Sequence, residues 1–126
     1  MTLGISAAHS NGIINLMRAT SYSSFTPWLR LHTGDPGSAG TANASAETTR
    51  KQLTFADPAG SGSSAASAVQ WTGWSAGSET ITHASIWDAS SGGNFKMSGV
   101  LSASLGVTNG ATVTITATTT AGTVAA

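Results

Sequence analysis

Short alternating runs of apolar and polar residues, each cut off by a cluster of glycine, serine, asparagine or proline, recur along the chain and leave little room for anything but β-structure. "TPWLRLHT" sets Leu29, Leu31 and Thr33 on one face and Trp28, Arg30 and His32 on the other, the period of two of a strand. "RKQLTFA" repeats the pattern with Leu53 and Phe55, "SAVQWTGW" with Val69 and Trp71, and "ATVTITATT" with Val113, Ile115 and Ala117. "NFKMSGVL" gathers Phe95, Met97 and Leu101. The longest run, "SETITHASIWDA", turns Ile81, His83, Ser85 and Trp87 one way and Thr82, Ala84 and Ile86 the other. Both faces carry apolar groups, as in a central strand covered on both sides. The expected fold is all-β: a single antiparallel β-sandwich, jelly-roll or immunoglobulin-like, of about six to eight strands. One short N-terminal helix precedes it, in which Asn11 caps a turn carrying Ile13, Leu16 and Met17.

The connections are legible too. "DASSGG" between Trp87 and Phe95 supplies glycines for a hairpin, and "TNGA" around Asn109 and Gly110 reads as a second tight turn, so that the two would pin three strands together. "GDPGSAGTANASAETT" and "ADPAGSGSSAASA" are long loops of small residues. They are expected to be exposed, or ordered only against a neighbour. A chain of 126 residues makes one domain, divided here into an N-terminal segment, residues 1–20, that holds the helix and can act as a contact arm, and a sandwich over residues 21–126.

Composition narrows the role. The chain has no cysteine, so packing alone must hold the core, with no disulfide and no cysteine-ligated zinc. Its formal net charge is zero and 8% of its residues are charged, against roughly 25% in ordinary soluble domains. Such a surface lacks the clustered lysine and arginine that nucleic acid requires, and it suggests coverage by other subunits. The start, "MTLGISAAHSNGIINLMRAT", holds neither a basic leader nor a continuous apolar span, so no membrane insertion is expected and synthesis is read as cytoplasmic.

No catalytic constellation emerges. His9, His32 and His83 lie on three separate elements without partners at metal-ligand spacing. Asp35, Asp57 and Asp88 sit in turn contexts, and Glu47 and Glu79 in polar stretches that look solvated. There is no Gly-x-Ser-x-Gly elbow and no phosphate cradle. The sequon at Asn43 has meaning only in a secretory pathway, which nothing here indicates. Of the tryptophans, Trp71, Trp74 and Trp87 read first as core. Trp28 and Trp74, each beside proline or glycine, are also candidates for an interface between subunits, and exposed aromatics could stack on sugars.

The order of these motifs, a strand ending in "LRLHTGDPG", a small-residue loop, "TTRKQLTF", "VQWTGW" and then "ITHASIWDASSGGNFKMSGVLSA", resembles a family of small tailed-bacteriophage virion proteins, labelled tail fibre or minor structural proteins. The resemblance runs from about Gly12 to Ile115. It is carried by Thr82, His83, Ile86, Trp87, Asp88, Gly92, Gly93 and Asn94, and by Leu31, His32, Asp35, Pro36 and Gly37. Relatives often have an aromatic residue where this chain has Thr49. The resemblance implies a β-sandwich without enzymatic activity; from the residues themselves, no cofactor or metal is expected.

Two roles follow as expectations. The first is a capsid decoration, or cement, protein, a homo-oligomer on the outside of the virion whose partners are the major capsid protein and copies of itself. The alternative is a tail-associated minor tail or tail-fibre module that contacts tail proteins or host-surface glycans. Candidate interface residues are Ile5, Ile13, Leu16, Trp28 and Trp74. His32, Asp35, Pro36, Gly37, Trp87, Asp88, Gly92 and Gly93 are candidate turn and structural residues.

Overall fold

A computed structural model describes residues 4–19, 21–56, 63–65, 67–116 and 118–120. Helix α1 (Ala7–Met17) is followed by eight strands: β1 (Trp28–His32), β2 (Lys51–Gln52), β3 (Ser63–Ala65), β4 (Val69–Trp71), β5 (Glu79–Trp87), β6 (Phe95–Val107), β7 (Val113–Ile115) and β8 (Thr118–Thr120). All strand pairs are antiparallel. They form a four-stranded sheet in the order β2-β1-β5-β6 and two ribbons, β4-β7 and β3-β8. The fold is the expected all-β antiparallel sandwich with one short helix, its second layer reduced to ribbons.

The core lies between the large sheet and the β4-β7 ribbon. Leu29, Leu31, Ile81 and Val107 from the sheet meet Trp71, Val113 and Ile115 from the ribbon, with Leu53 and Trp74 completing the buried set. Leu29 and Leu31 share one face of β1, as the alternation in "WLRLH" requires. On β5 the alternation is broken. The pairing with β6 passes from Ile81–Leu105 to His83–Val100, and this bulge brings Ile81 into the core with Ala84 and Ile86, away from Ser85 and Trp87. β6 also runs beyond "NFKMSGVL" to Val107, because "SASLGV" continues the ladder.

Other expectations need correction. The helix starts four residues before Asn11: Ser6 is the N-cap, its hydroxyl accepting from the His9 amide at 3.2 Å, and Asn11 lies inside the helix. The "DASSGG" turn does join β5 to its partner β6. "TNGA", however, closes no hairpin, since β7 pairs with β4. The turn carries the chain from one layer to the other, held by the Gly110 amide on the Trp74 carbonyl (2.7 Å) and the Gly77 amide on Asn109 Oδ1 (2.9 Å).

The loop after β1 is ordered from within and needs no neighbour. Asp35 Oδ1 accepts from the Gly37 amide at 3.0 Å, Ala42 N–H donates to the Pro36 carbonyl at 2.8 Å, and Asn43 donates from Nδ2 to the Asp35 carbonyl at 2.9 Å. Pro36 is fully buried. Gly40, at φ +72°, lies so close to the Phe95 ring that no Cβ fits. Glu79 is not simply solvated: its carboxylate accepts from the Ser45 hydroxyl and the Ala46 amide, pinning the far end of this loop to β5. In the second long loop, residues 57–62 and 66 and the expectations placed there lie outside the described residues, as does Ala117.

Gly40→Ala combines a left-handed backbone with a collision, so a loss of about 2–4 kcal/mol in denaturant unfolding is expected. Gly110→Ala has a similar φ of +89° but open space around it. It should cost about 1–2 kcal/mol, and equal losses for the two variants would contradict the packing argument.

Candidate functional site

Several of the residues that carry the family resemblance, His32 and Trp87 among them, lie on the face of the large sheet opposite the core, whereas Leu31 and Ile86 face the core. In antiparallel register His32 is paired with His83 and Trp28 with Trp87, so His32, Ser85 and Trp87 fall on one side. His32 and Ser85 are both 0% exposed. His32 Nδ1 lies 2.9 Å from the Ala42 carbonyl, which can only accept, so the ring proton belongs on Nδ1. Nε2 then accepts from the Ser85 hydroxyl at 2.7 Å, and Ser85 Oγ in turn accepts from Trp87 Nε1 at 2.8 Å. Each donor in this chain has one acceptor.

A serine bonded to a histidine is also the beginning of a nucleophile and base pair. Here neither has access to solvent, and the atom on the histidine's other nitrogen is a backbone carbonyl where a triad would place a carboxylate. The arrangement holds β1, β5 and the Pro36 loop together. It offers no surface to a substrate.

The turn after β5 is fixed just as fully. Arg50 lies over the Trp87 ring, 4.2 Å from its centroid, and donates to the Ala89 and Gly92 carbonyls at 2.8 Å each. Asp88 accepts from the Asn94 amide (2.6 Å) and side chain (2.9 Å), which hold its carboxyl below the usual carboxylate range, and from Lys96 at 3.3 Å. Gly92 and Gly93 both take positive φ, and a Cβ at Gly93 would run into Asp88. These motif residues build a rigid hairpin end.

The helix is attached through a third cluster. Residues 4–6 add to the outer edge of β6: Ser6 N–H donates to the Lys96 carbonyl at 2.7 Å and Ser98 N–H to the Gly4 carbonyl at 2.8 Å. His9 Nδ1 stands 2.6 Å from the Tyr22 hydroxyl, whose oxygen also receives Lys96 Nζ at 3.3 Å. Lys96 sits 4.8 Å from the Phe25 ring centroid, and Gly12 lets the helix backbone approach Tyr22.

This anchoring explains where the interface candidates fall. The buried residues of α1 are His9 and Gly12, so Ile13 and Leu16 face solvent together with Ile14 and Met17. Ile5 is half exposed, bridged through its backbone to Met97. Trp28 is half-buried within the sheet. Trp74 is not an interface residue: at 2% exposure it belongs to the core, and its indole N–H is taken by the Gly77 carbonyl at 2.8 Å. The sequence placed Met17 on the helix without marking it as a contact residue and passed over Ile14 and Val100; a helix that buries histidine and glycine shows no apolar stripe on its inner side, and Val100 lies on a strand edge. Beside them an apolar cleft of about 570 Å³ opens between β6 and β7, lined by Phe55, Ile86, Met97, Leu101, Leu105 and Ile115.

Burial holds the His32 pKa below the ordinary 6.5, with the charges of Arg30 and His83 acting the same way and the Ala42 carbonyl opposing. Burial and then the charge of Lys96 lower that of His9. Both rings therefore bind a proton less readily folded than unfolded. Their contribution to stability is complete above about pH 6.5 and is lost as pH falls below it. The thermal midpoint should drop between pH 7 and 5, and Ser85→Ala, which orphans His32 Nε2 and Trp87 Nε1, should cost about 2–4 kcal/mol at neutral pH. A flat midpoint over that range would contradict the histidine assignment.

No curated protein matches this chain. A family model described as podophage GP4 fiber I protein gp80 matches residues 4–123. That span includes the anchored N-terminal segment, both motif clusters and all eight strands, and the chain belongs to this family of phage virion structural proteins.

Proposed function

We propose that the chain is a fibre-side building block of the tail, working by binding other virion proteins and not by catalysis. The observation that carries this reading is the match of the fibre family model over residues 4–123. The solvent-exposed apolar helix and the β6 edge supply surface for contacts, while the Ser85–His32 pair, the nearest approach to a nucleophile and its base, is sealed inside. Its partners on this reading are tail proteins and copies of itself, with host-surface glycans as the outward target. A capsid decoration role, with the major capsid protein as partner, is the second reading. Low charge and the lack of heptads or long repeats favour it, since a short uncharged module suits a lattice of many weak contacts.

Electron microscopy of purified virions labelled with an antibody to this chain separates the two. Label confined to the tail, with a low copy number in a quantitative gel, is the expected outcome. Label spread over the shell, at a copy number comparable to that of the major shell protein, would establish decoration instead.

A further inference from the structure

Helix α1 is held to the sheet by little besides one histidine. The hydrophobic core takes no residue from the helix, whose buried positions are His9 and Gly12. Helices shorter than about 12–15 residues are marginal on their own in water, and α1 has 11, with a glycine among them. Its order therefore depends on docking. That docking consists of the backbone pairing of residues 4–6 with β6, the bond from Tyr22 to His9, the Phe25 ring set edge-on to His9 at 5.5 Å, and the close approach of Gly12 to Tyr22.

Everything that faces His9 suits a neutral ring. Lys96 can only donate, so the Tyr22 oxygen accepts from its Nζ at 3.3 Å and turns its own proton to His9 Nδ1 at 2.6 Å. A second proton on the ring would occupy that place. Nδ1 would then donate, the Tyr22 oxygen would receive two cationic donors, and the phenol proton would lose its acceptor. Imidazolium and ammonium would stand on the same oxygen, no farther apart than the sum of those two distances. His9 is 6% exposed, so water screens such a pair poorly.

No carboxylate among the described residues offsets the charge. The first turn of α1 has none, Phe25 offers only its ring, and Asp88 is engaged by Lys96 at 3.3 Å and by Asn94. With Ser6 as N-cap, His9 also lies in the first helical turn, where the aligned amides already disfavour a cation. Burial and the charge of Lys96 lower the His9 pKa, in the direction this geometry requires.

We propose that His9 is a proton-operated latch: neutral, it fastens α1 to the sheet, and protonated, it frees α1 and residues 4–6 from β6 while the sandwich stays folded. A peripheral element that contributes nothing to the core opens at a lower free energy than the whole molecule. Release uncovers the β6 edge at residues 96–98 and the Tyr22 ring beneath Gly12. The latch works in the same way wherever the chain sits in the virion, so its test is independent of the fibre reading.

Amide hydrogen exchange of the full chain, followed by NMR and divided by the intrinsic exchange rate at each pH, reads the opening of each element. In the wild type the opening of residues 7–17 should rise about tenfold between pH 7 and 5, in step with the titration of the His9 ring, while the Leu31 and Ile81 amides stay far better protected at both pH values. His9→Gln, whose side-chain carbonyl accepts the phenol proton without titrating, should hold the opening of α1 constant within about twofold. Lys96→Met removes the opposing charge and leaves the ring able to titrate; it should raise the ring's midpoint towards 6.5 and cut the increase in opening by at least about half. Protection of α1 that does not change with pH would overturn the proposal. So would an increase as large in His9→Gln as in the wild type, or core protection lost together with that of α1. If glutamine does not seat the helix at pH 7, Lys96→Met decides, and an unchanged ring midpoint in that variant would overturn the latch.

Discussion

The hydrogen-bond chain from Trp87 through Ser85 and His32 to the Ala42 carbonyl is the constraint on which the rest of the sheet depends. It spans three segments that are distant in sequence: β5, β1 and the end of the Pro36 loop. His32, Ser85 and Trp87 are buried, and the exposed Ala42 reaches in with its carbonyl. A polar group buried without a partner costs about 1–3 kcal/mol, so the loop must return to the sheet for the fold to close. Gly40 then fits against Phe95, Phe95 stands 5.7 Å from Trp87, and Arg50 lies across Trp87 to hold the next turn. What looks in isolation like a run of small, loosely constrained residues is the cover of the sheet's second face.

The opposite face is less completely closed. The β4-β7 ribbon covers Leu29, Leu31 and Ile81, but the β6 end retains an open apolar cleft. The attachment of α1 at the same end turns apolar residues outward because its inner contacts are a histidine–tyrosine bond and a glycine against a ring. The molecule thus has one side knit together by hydrogen bonds among the motif residues and one side that leaves apolar residues of α1 exposed.

Much of this was legible in the sequence because strand periodicity is local. Leu29 and Leu31 alternate with Arg30, and Val113 and Ile115 with Thr114, as any half-buried strand must. The turn chemistry of Asp35, Pro36 and Gly37, and of Asp88 with Gly92 and Gly93, could also be read from residue type. Failures came where a distant partner decided the outcome. Nothing within "TNGA" says that the next strand will pair with β4 and not β6, and nothing within "TITH" announces the bulge that sends Ile81 inward. Trp74 beside a glycine resembles an exposed anchor until Ala111 and Gly110 are seen to bond its backbone.

By itself, then, the amino-acid sequence determined an all-β chain with most of its strands, its tight turns and no charged surface for nucleic acid, because residue type and spacing act over a few positions; β3, in a stretch that reads as a loop, escaped it. Only the tertiary structure decided which strands share a sheet, that His32 is consumed in a buried hydrogen-bond chain, and that the helix presents Leu16 and Met17 to solvent. Those outcomes depend on which groups from remote segments satisfy one another's hydrogen bonds and fill one another's space, and no local pattern encodes that.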